Sequence, residues 1–213
     1  MIRAVLWDID GTLLDSEPHH FTAIAAVCAR HGHVIARAEF EHMLGRAMPV
    51  VYAMLDALQP MPMDLPEFAR ACTEEYIARL DAVQPRAGAL ERVDWLAARD
   101  VGQACVSNSG RDVVAANMRR MARDSLAFAI SRDDVEHGKP HPEPYLRAAE
   151  RLGVAPSACL VVEDSPTGAR AARAAGMLTV AWPQDFHLVF DEVDHTVADL
   201  ADLDWRRLLG VPG

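Results

Sequence analysis

Asp8 and Asp10 stand one residue apart, after the apolar run Ala4-Val5-Leu6-Trp7 and before Gly11-Thr12. The run has the length and composition of a short buried strand. Strand side chains alternate faces, so if that geometry continues, Asp8 and Asp10 share a face and Ile9 turns to the core. Two carboxylates held so close repel; either one carries a proton or a cation lies between them. A hard dication such as Mg2+ suits the pair, because it takes a few carboxylate oxygens and keeps several waters. Gly11 allows a sharp turn that brings backbone amides toward an anion. The competing reading is an ordinary Asp/Gly turn after a strand. An EF-hand loop also begins with spaced aspartates, but its glycine comes later and a helix precedes it.

Three more polar clusters follow apolar runs. Ser107-Asn108-Ser109-Gly110 comes after Ala104-Cys105-Val106. A hydroxyl, loop amides and a helix N-terminus can bind phosphate oxygens; a plain turn or cap is the alternative. Lys139, in Glu136-His137-Gly138-Lys139-Pro140, is the only lysine in the chain. A compact ammonium neutralises an anion without bidentate geometry, although most lysines are simply solvated. Glu163-Asp164-Ser165 follows Leu160-Val161-Val162. Adjacent carboxylates there would complete, with Asp8 and Asp10, an oxygen shell around a cation, or else cap a helix. His19-His20 and His31-Gly32-His33 lack a matching carboxylate or cysteine pattern and read as surface histidines. No G-x-G-x-x-G follows a strand, and Gly138-Lys139 lacks the upstream glycine of a P-loop.

The elements that must position these groups fall into two styles. Ser16 reads as an N-cap before a helix with Phe21, Ile24, Ala25 and Cys28 on one face, ended by Gly32. A short helix carries Phe40, Met43 and Leu44 and stops near Gly45. Val51, Met54, Leu55 and Leu58 make a third stripe, broken at Pro60-Met61-Pro62. Asp64 and Glu67 form a capping box before Phe68, Cys72 and Tyr76. Residues 16–82 thus read as an inserted helical bundle.

From residue 84 the pattern alternates. Helical stripes at 90–97, 113–121, 145–152 and 167–175 separate strand-like runs at 104–106, 126–130, 159–162 and 178–182. That alternation predicts an α/β fold, a doubly wound parallel sheet covered on both faces. The expected division is a core of 1–15 plus 83–213 and a helical domain of 16–82.

Bulk properties exclude some classes. The chain has 213 residues, 51% of them apolar, and a net charge of −10 from 21 basic and 31 acidic residues. No basic cluster offers a nucleic-acid footprint. Between Arg173 and Arg206 there is no Lys or Arg but a run of acids, which reads as solvated surface. Cys28, Cys72, Cys105 and Cys159 lie far apart among apolar neighbours, as buried thiols do. No run reaches membrane-spanning length and none reads as a signal peptide, so the expectation is a soluble cytoplasmic protein without a membrane partner.

Taken in order, four segments resemble the motifs of the haloacid dehalogenase (HAD) superfamily, in its beta-phosphoglucomutase-like phosphatase and phosphomutase branch. They are DIDGTLLDSE at 8–17, VSNSG at 106–110, GKPHPEPY at 138–145 and VVEDSPTGARAARAAGM at 161–177. The resemblance implies a Rossmann-type core with a helical cap, Mg2+ as cofactor and a small phosphorylated metabolite as partner, in a monomer. It implies Asp8 as the nucleophile that becomes an aspartyl phosphate and Asp10 as general acid and base. Asp8, the Asp10 carbonyl and Asp164 are the implied metal ligands, supported by Glu163, and Ser107, Asn108 and Lys139 the implied phosphate cradle.

Members that cleave carbon–halogen bonds lack the second aspartate, so Asp10 implies phosphoryl chemistry on an oxygen ester. His20 aligns with a cap histidine, and Gly45 and Arg46 fall near the substrate loop of beta-phosphoglucomutase. The lysine and arginine of that loop are replaced by Leu44 and Met48, which favours a phosphatase over a mutase. A phospho-accepting signalling module is a remote alternative, since receiver domains join similar residues but carry their acceptor on a later strand.

Overall fold

A computed structural model describes residues 1–210 except 37, 38, 41, 42, 44, 45, 185, 186 and 192. The chain forms two compact units, Met1–Leu14 with Pro85–Gly213, and Asp15–Gln84.

The first unit is built on six parallel strands in the order β3-β2-β1-β4-β5-β6. They are β1 Ala4–Trp7, β2 Gly102–Val106, β3 Ala129–Ile130, β4 Cys159–Glu163, β5 Leu178–Ala181 and β6 His195–Thr196. Every residue of β1 and β4 is buried, as a parallel sheet covered on both faces requires. Alternation divides their side chains. Ala4, Leu6, Ala104, Val106 and Val161 join one cluster with Tyr145, Ala148, Ala171 and Ala172 of two flanking helices. Trp7 turns the other way, stacks on Trp205 and donates its indole N–H to Gln103, whose amide in turn donates to the Val93 carbonyl.

Helices α4 Ala89–Ala97, α5 Arg111–Met121, α6 Glu143–Leu152, α7 Pro166–Ala174 and α8 Trp205–Leu209 connect and flank these strands. The sheet order reverses between β1 and β4. In doubly wound sheets, ligands bind at the carboxyl ends of strands beside such a reversal.

The acidic segment after β5 is more than a solvated face. Asp194 accepts the Thr179 N–H and pairs with Arg173, and Asp199 and Asp204 cap the turns that follow them. Three short side chains at turn starts satisfy backbone donors that would otherwise be orphaned.

The second unit contains α1 Glu17–Ala29, α2 Met48–Leu58 and α3 Leu65–Ile77. Ile24, Val27, Cys28, Val51, Leu55, Phe68 and Cys72 make its core, with Phe40 and Met43. The Asp64–Glu67 capping box is present with both reciprocal bonds. Two expectations change here. Ser16 stands at the cap position with helical φ/ψ and makes no side-chain cap bond, because a capping hydroxyl needs extended backbone. Leu58, expected on the apolar stripe, is exposed. The expected stop at Gly45 lies outside the described residues.

All four cysteines are free and buried. Burial pushes the Cys28 and Cys72 thiols up to about 11 and 12, which leaves them unreactive. Among the described residues, no helix is long and apolar enough to cross a membrane.

Candidate active site

β1 ends at Trp7, so the strand alternation expected to carry both aspartates stops before Asp8, and a turn places the two carboxylates separately. Asp8 is buried, and its Oδ1 accepts from the Lys139 ammonium at 2.6 Å. Lys139 Nζ also donates to Glu163 Oε1 at 2.6 Å and to the Val106 carbonyl at 2.8 Å. All three donor positions of the ammonium are therefore used inside the fold. Asp10 instead accepts from Ser107 Oγ at 2.9 Å, Ser109 Oγ at 2.8 Å and Asn117 Nδ2 at 3.1 Å.

Asn108 uses both ends of its carboxamide on the Lys139 backbone. Its Nδ2 donates to the Lys139 carbonyl at 3.0 Å, and its Oδ1 accepts the Lys139 N–H at 2.8 Å. Its side chain thus braces the lysine segment across the gap between the β2 end and that loop. Glu163 is fully buried, and besides Lys139 it accepts from the Tyr145 hydroxyl at 2.5 Å and from Ser165 Oγ at 3.1 Å.

Glycines make room for these acids. Gly11 has φ +82°, and a Cβ there would overlap the Asp164 carboxylate. A Cβ at Gly168, in the first turn of α7, would overlap the Glu163 carboxylate.

Burial pushes the Asp8 carboxyl up, to about 8; Glu163 and Asp10 add to the rise and Lys139 opposes it. For Lys139, burial alone disfavours the charge, but the Asp8 and Glu163 carboxylates hold its proton more tightly than in water. Tyr145, buried beside Glu163, is raised well above the ordinary phenol value and stays a donor.

Asp8, Glu163 and Asp164 each offer an oxygen within 4.8 Å of the others. Asp8 Oδ2 is buried without a hydrogen-bond partner. Leaving a carboxylate oxygen bare in the interior is costly unless something positive meets it. An oxygen-only donor set with one unpaired anionic oxygen fits a hard dication such as Mg2+. The Asp10 carboxylate is not part of this set; its oxygens are taken by the two serines and Asn117.

The first unit thus brings Asp8, Lys139, Glu163 and Asp164 together, with Asp10 on the loop after β1 and Ser107 and Asn108 on the loop after β2. His20, Gly45 and Arg46 belong to the helical unit. His20 is half-buried and stacks on Tyr76 with ring centroids 4.2 Å apart, Arg46 is exposed, and Gly45 lies outside the described residues.

Sequence reasoning gave no individual role to four residues that shape the site, although Ser109 lay in the cluster it singled out. Tyr145, inside a quoted motif, holds Glu163. Asn117 and Ser109 hold Asp10; Asn117 falls at helical spacing with Val113, Val114 and Met121, and a polar residue in an apolar stripe was the available signal. Arg86 donates to the Gly11 and Trp182 carbonyls, each at 2.7 Å, and its guanidinium lies 3.5 Å over the Trp182 ring. It ties the Asp8–Thr12 loop to the end of β5, a long-range contact with no local sequence signal.

Comparison with known proteins adds an independent finding. The family model described as haloacid dehalogenase-like hydrolase matches residues 2–176. The chain is 31% identical over 219 residues to validoxylamine A 7'-phosphate phosphatase of Streptomyces hygroscopicus subsp. limoneus, covering 98% of this chain and 99% of that one. It is 32% identical over 182 residues to fructose-1-phosphate phosphatase YqaB of Escherichia coli, covering 81% and 92%. The structure of CbbY from Rhodobacter sphaeroides in complex with phosphate superimposes with a TM-score of 0.90 at 27% identity, covering 99% and 100%.

Proposed function

Since the chain belongs to the haloacid dehalogenase-like hydrolases and is a phosphatase, we propose that it hydrolyses a small sugar or polyol phosphate with Mg2+, through phosphoryl transfer to Asp8. The observation that carries this reading is the buried Asp8 carboxylate, with Oδ1 on Lys139 and Oδ2 bare.

A carboxylate oxygen of Asp8 forms the new bond to phosphorus while the ester oxygen leaves with a proton from Asp10. Asp10 then takes a proton from water, whose oxygen attacks the phosphorus of the acyl phosphate. Phosphate departs and Asp8 is restored. Lys139 offsets the charge of the phosphoryl oxygens, the loop amides donate to them, Ser107 does so when its hydroxyl turns from Asp10, and Asn108 keeps Lys139 in place. Mg2+, held by Asp8 and Asp164 with Glu163 beside them, would offset the negative charge of the phosphoryl group and keep Asp8 ionised. Ser107, Ser109 and Asn117 all donate to Asp10, favouring the anionic form that serves as base in the second half.

Hydrolysis is preferred over a mutase reaction because Met48, which stands where that branch has a cation, packs against the apolar core of the helical unit. Choice among substrates is assigned to that unit, through His20, Gly45 and Arg46.

The test is phosphate release from a panel of sugar and polyol phosphates, with Mg2+ and with a chelator. Asp8→Asn should lose activity by about 10³-fold or more, and Asp10→Asn by roughly 10²–10⁴-fold. Full turnover in Asp8→Asn would remove Asp8 as the nucleophile, and interconversion of sugar phosphates without release would point to the mutase.

A further inference from the structure

Outside the acidic pocket, a second set of ligating side chains converges on the loop that leads into α6. His137, His141 and Glu143 each place one donor atom within 4.8 Å of the others. His137 Nδ1 lies 3.2 Å from Glu143 Oε2, and His141 Nδ1 lies 4.0 Å from the same oxygen. The imidazole centroids are 4.6 Å apart. Donors arranged tetrahedrally around Zn2+ at its usual bond lengths sit roughly 3.4 Å from one another. The trio therefore needs only small side-chain rotations to close on an ion.

Its carboxylate is already oriented: Glu143 Oε1 accepts the Glu136 N–H and Oε2 accepts the His137 N–H, both at 2.9 Å. Backbone bonds of this kind are the outer-shell support that fixes a metal-binding carboxylate. Both imidazoles are about half exposed and line a surface cleft of about 520 Å³ shared with Arg132, Glu136 and Pro142. An ion could enter freely and keep a water.

We propose that His137, His141 and Glu143 form a second cation site that takes Zn2+ and pins the segment carrying Lys139. Donor chemistry separates it from the first site. Asp8, Glu163 and Asp164 offer oxygen alone, which suits Mg2+, whereas two imidazoles and a carboxylate suit a borderline transition ion. Binding replaces the 3.2 Å contact between His137 Nδ1 and Glu143 Oε2, and gives up the 3.3 Å bond from the Glu143 N–H to His141 Nδ1. The two histidines flank Lys139 in sequence, and Glu143 opens α6. The ion therefore ties both ends of the lysine segment to a helix. This site is independent of the phosphatase reading.

The experiment is equilibrium dialysis of the full chain against Zn2+ in a large excess of Mg2+, on wild type, Asp8→Asn and the double variant His137→Gln/His141→Gln. Wild type and Asp8→Asn should each retain one zinc that Mg2+ does not displace. The double variant should bind it at least about tenfold more weakly, with an unchanged thermal midpoint in the absence of metal. Zinc should also slow amide exchange across residues 138–142 in wild type and not in the double variant. No retained zinc in wild type, equal retention in the double variant, or loss in Asp8→Asn alone would each overturn the second site. Unchanged exchange in zinc-loaded wild type would overturn the pinning.

Discussion

Lys139 is the residue on which the electrostatics of the pocket turn. Its ammonium is buried and lies between two carboxylates, both of which it bonds at 2.6 Å. Replacing it with Met removes the cation and leaves Asp8 and Glu163 facing each other in the interior. Breaking a buried pair in this way costs about 3–5 kcal/mol. Denaturant unfolding of Lys139→Met should show a larger loss above pH 8, where Asp8 is ionised in the wild type, than near neutral pH, where Asp8 holds a proton.

Asp8 gives a second dependence on pH. Its folded value is raised to about 8, against about 3.9 for a free aspartate. Between those values the folded chain holds a proton that the unfolded chain has released, so this group's contribution to stability falls as pH rises. Mg2+ must displace the same proton. Its affinity should therefore strengthen by up to about tenfold per pH unit from pH 6 toward 8. Calorimetry in buffers of different ionisation enthalpy should detect proton release on binding at pH 7.

The elements that carry the site were legible to different degrees. β1 and β4 announce themselves as apolar runs with acids at their ends, because buried parallel strands have no polar face to blur the pattern. β3 was expected over 126–130 and spans only Ala129–Ile130; Phe128 and Ala127 still exchange single backbone bonds with β2, at Cys105 and Gln103, but lie outside the regular ladder. β6 is two exposed residues, His195–Thr196, and had no apolar signature at all.

Motif residues with local chemistry, such as Lys139 and Glu163, could be picked out by type and place. Their supports could not: Asn117 lies 107 residues from Asp10, and Arg86 bonds a carbonyl 75 residues away. One support makes a sharp test. The first turn of α7 passes so close to Glu163 that Gly168 has no room for a methyl group. Gly168→Ala should cost about 1–3 kcal/mol by overpacking and reduce phosphate release by displacing Glu163 from Lys139. Paired thermal unfolding and kinetic measurements would check both effects.

Across the whole molecule, the sheet order places Asp8 after β1 and Glu163 at the end of β4, on neighbouring strands on either side of the reversal. Alternating elements predicted a parallel sheet but not the order of its strands, because pairing of β1 with β4 joins segments about 150 residues apart. The fate of the acidic tail was equally hidden, since Asp194, Asp199 and Asp204 gain their partners only once the chain is folded.

The chain's basic residues are otherwise all arginine, so Lys139 carries its one ε-amine. That amine is 4% exposed and bound on every side. An amine-directed reagent therefore meets no competing lysine on the surface. The rate at which it modifies this position is a clock for spontaneous opening of the pocket. Peptide mass mapping should find Lys139 nearly unlabelled in the native protein, readily labelled in denaturant, and slower still to react when Mg2+ and inorganic phosphate are present.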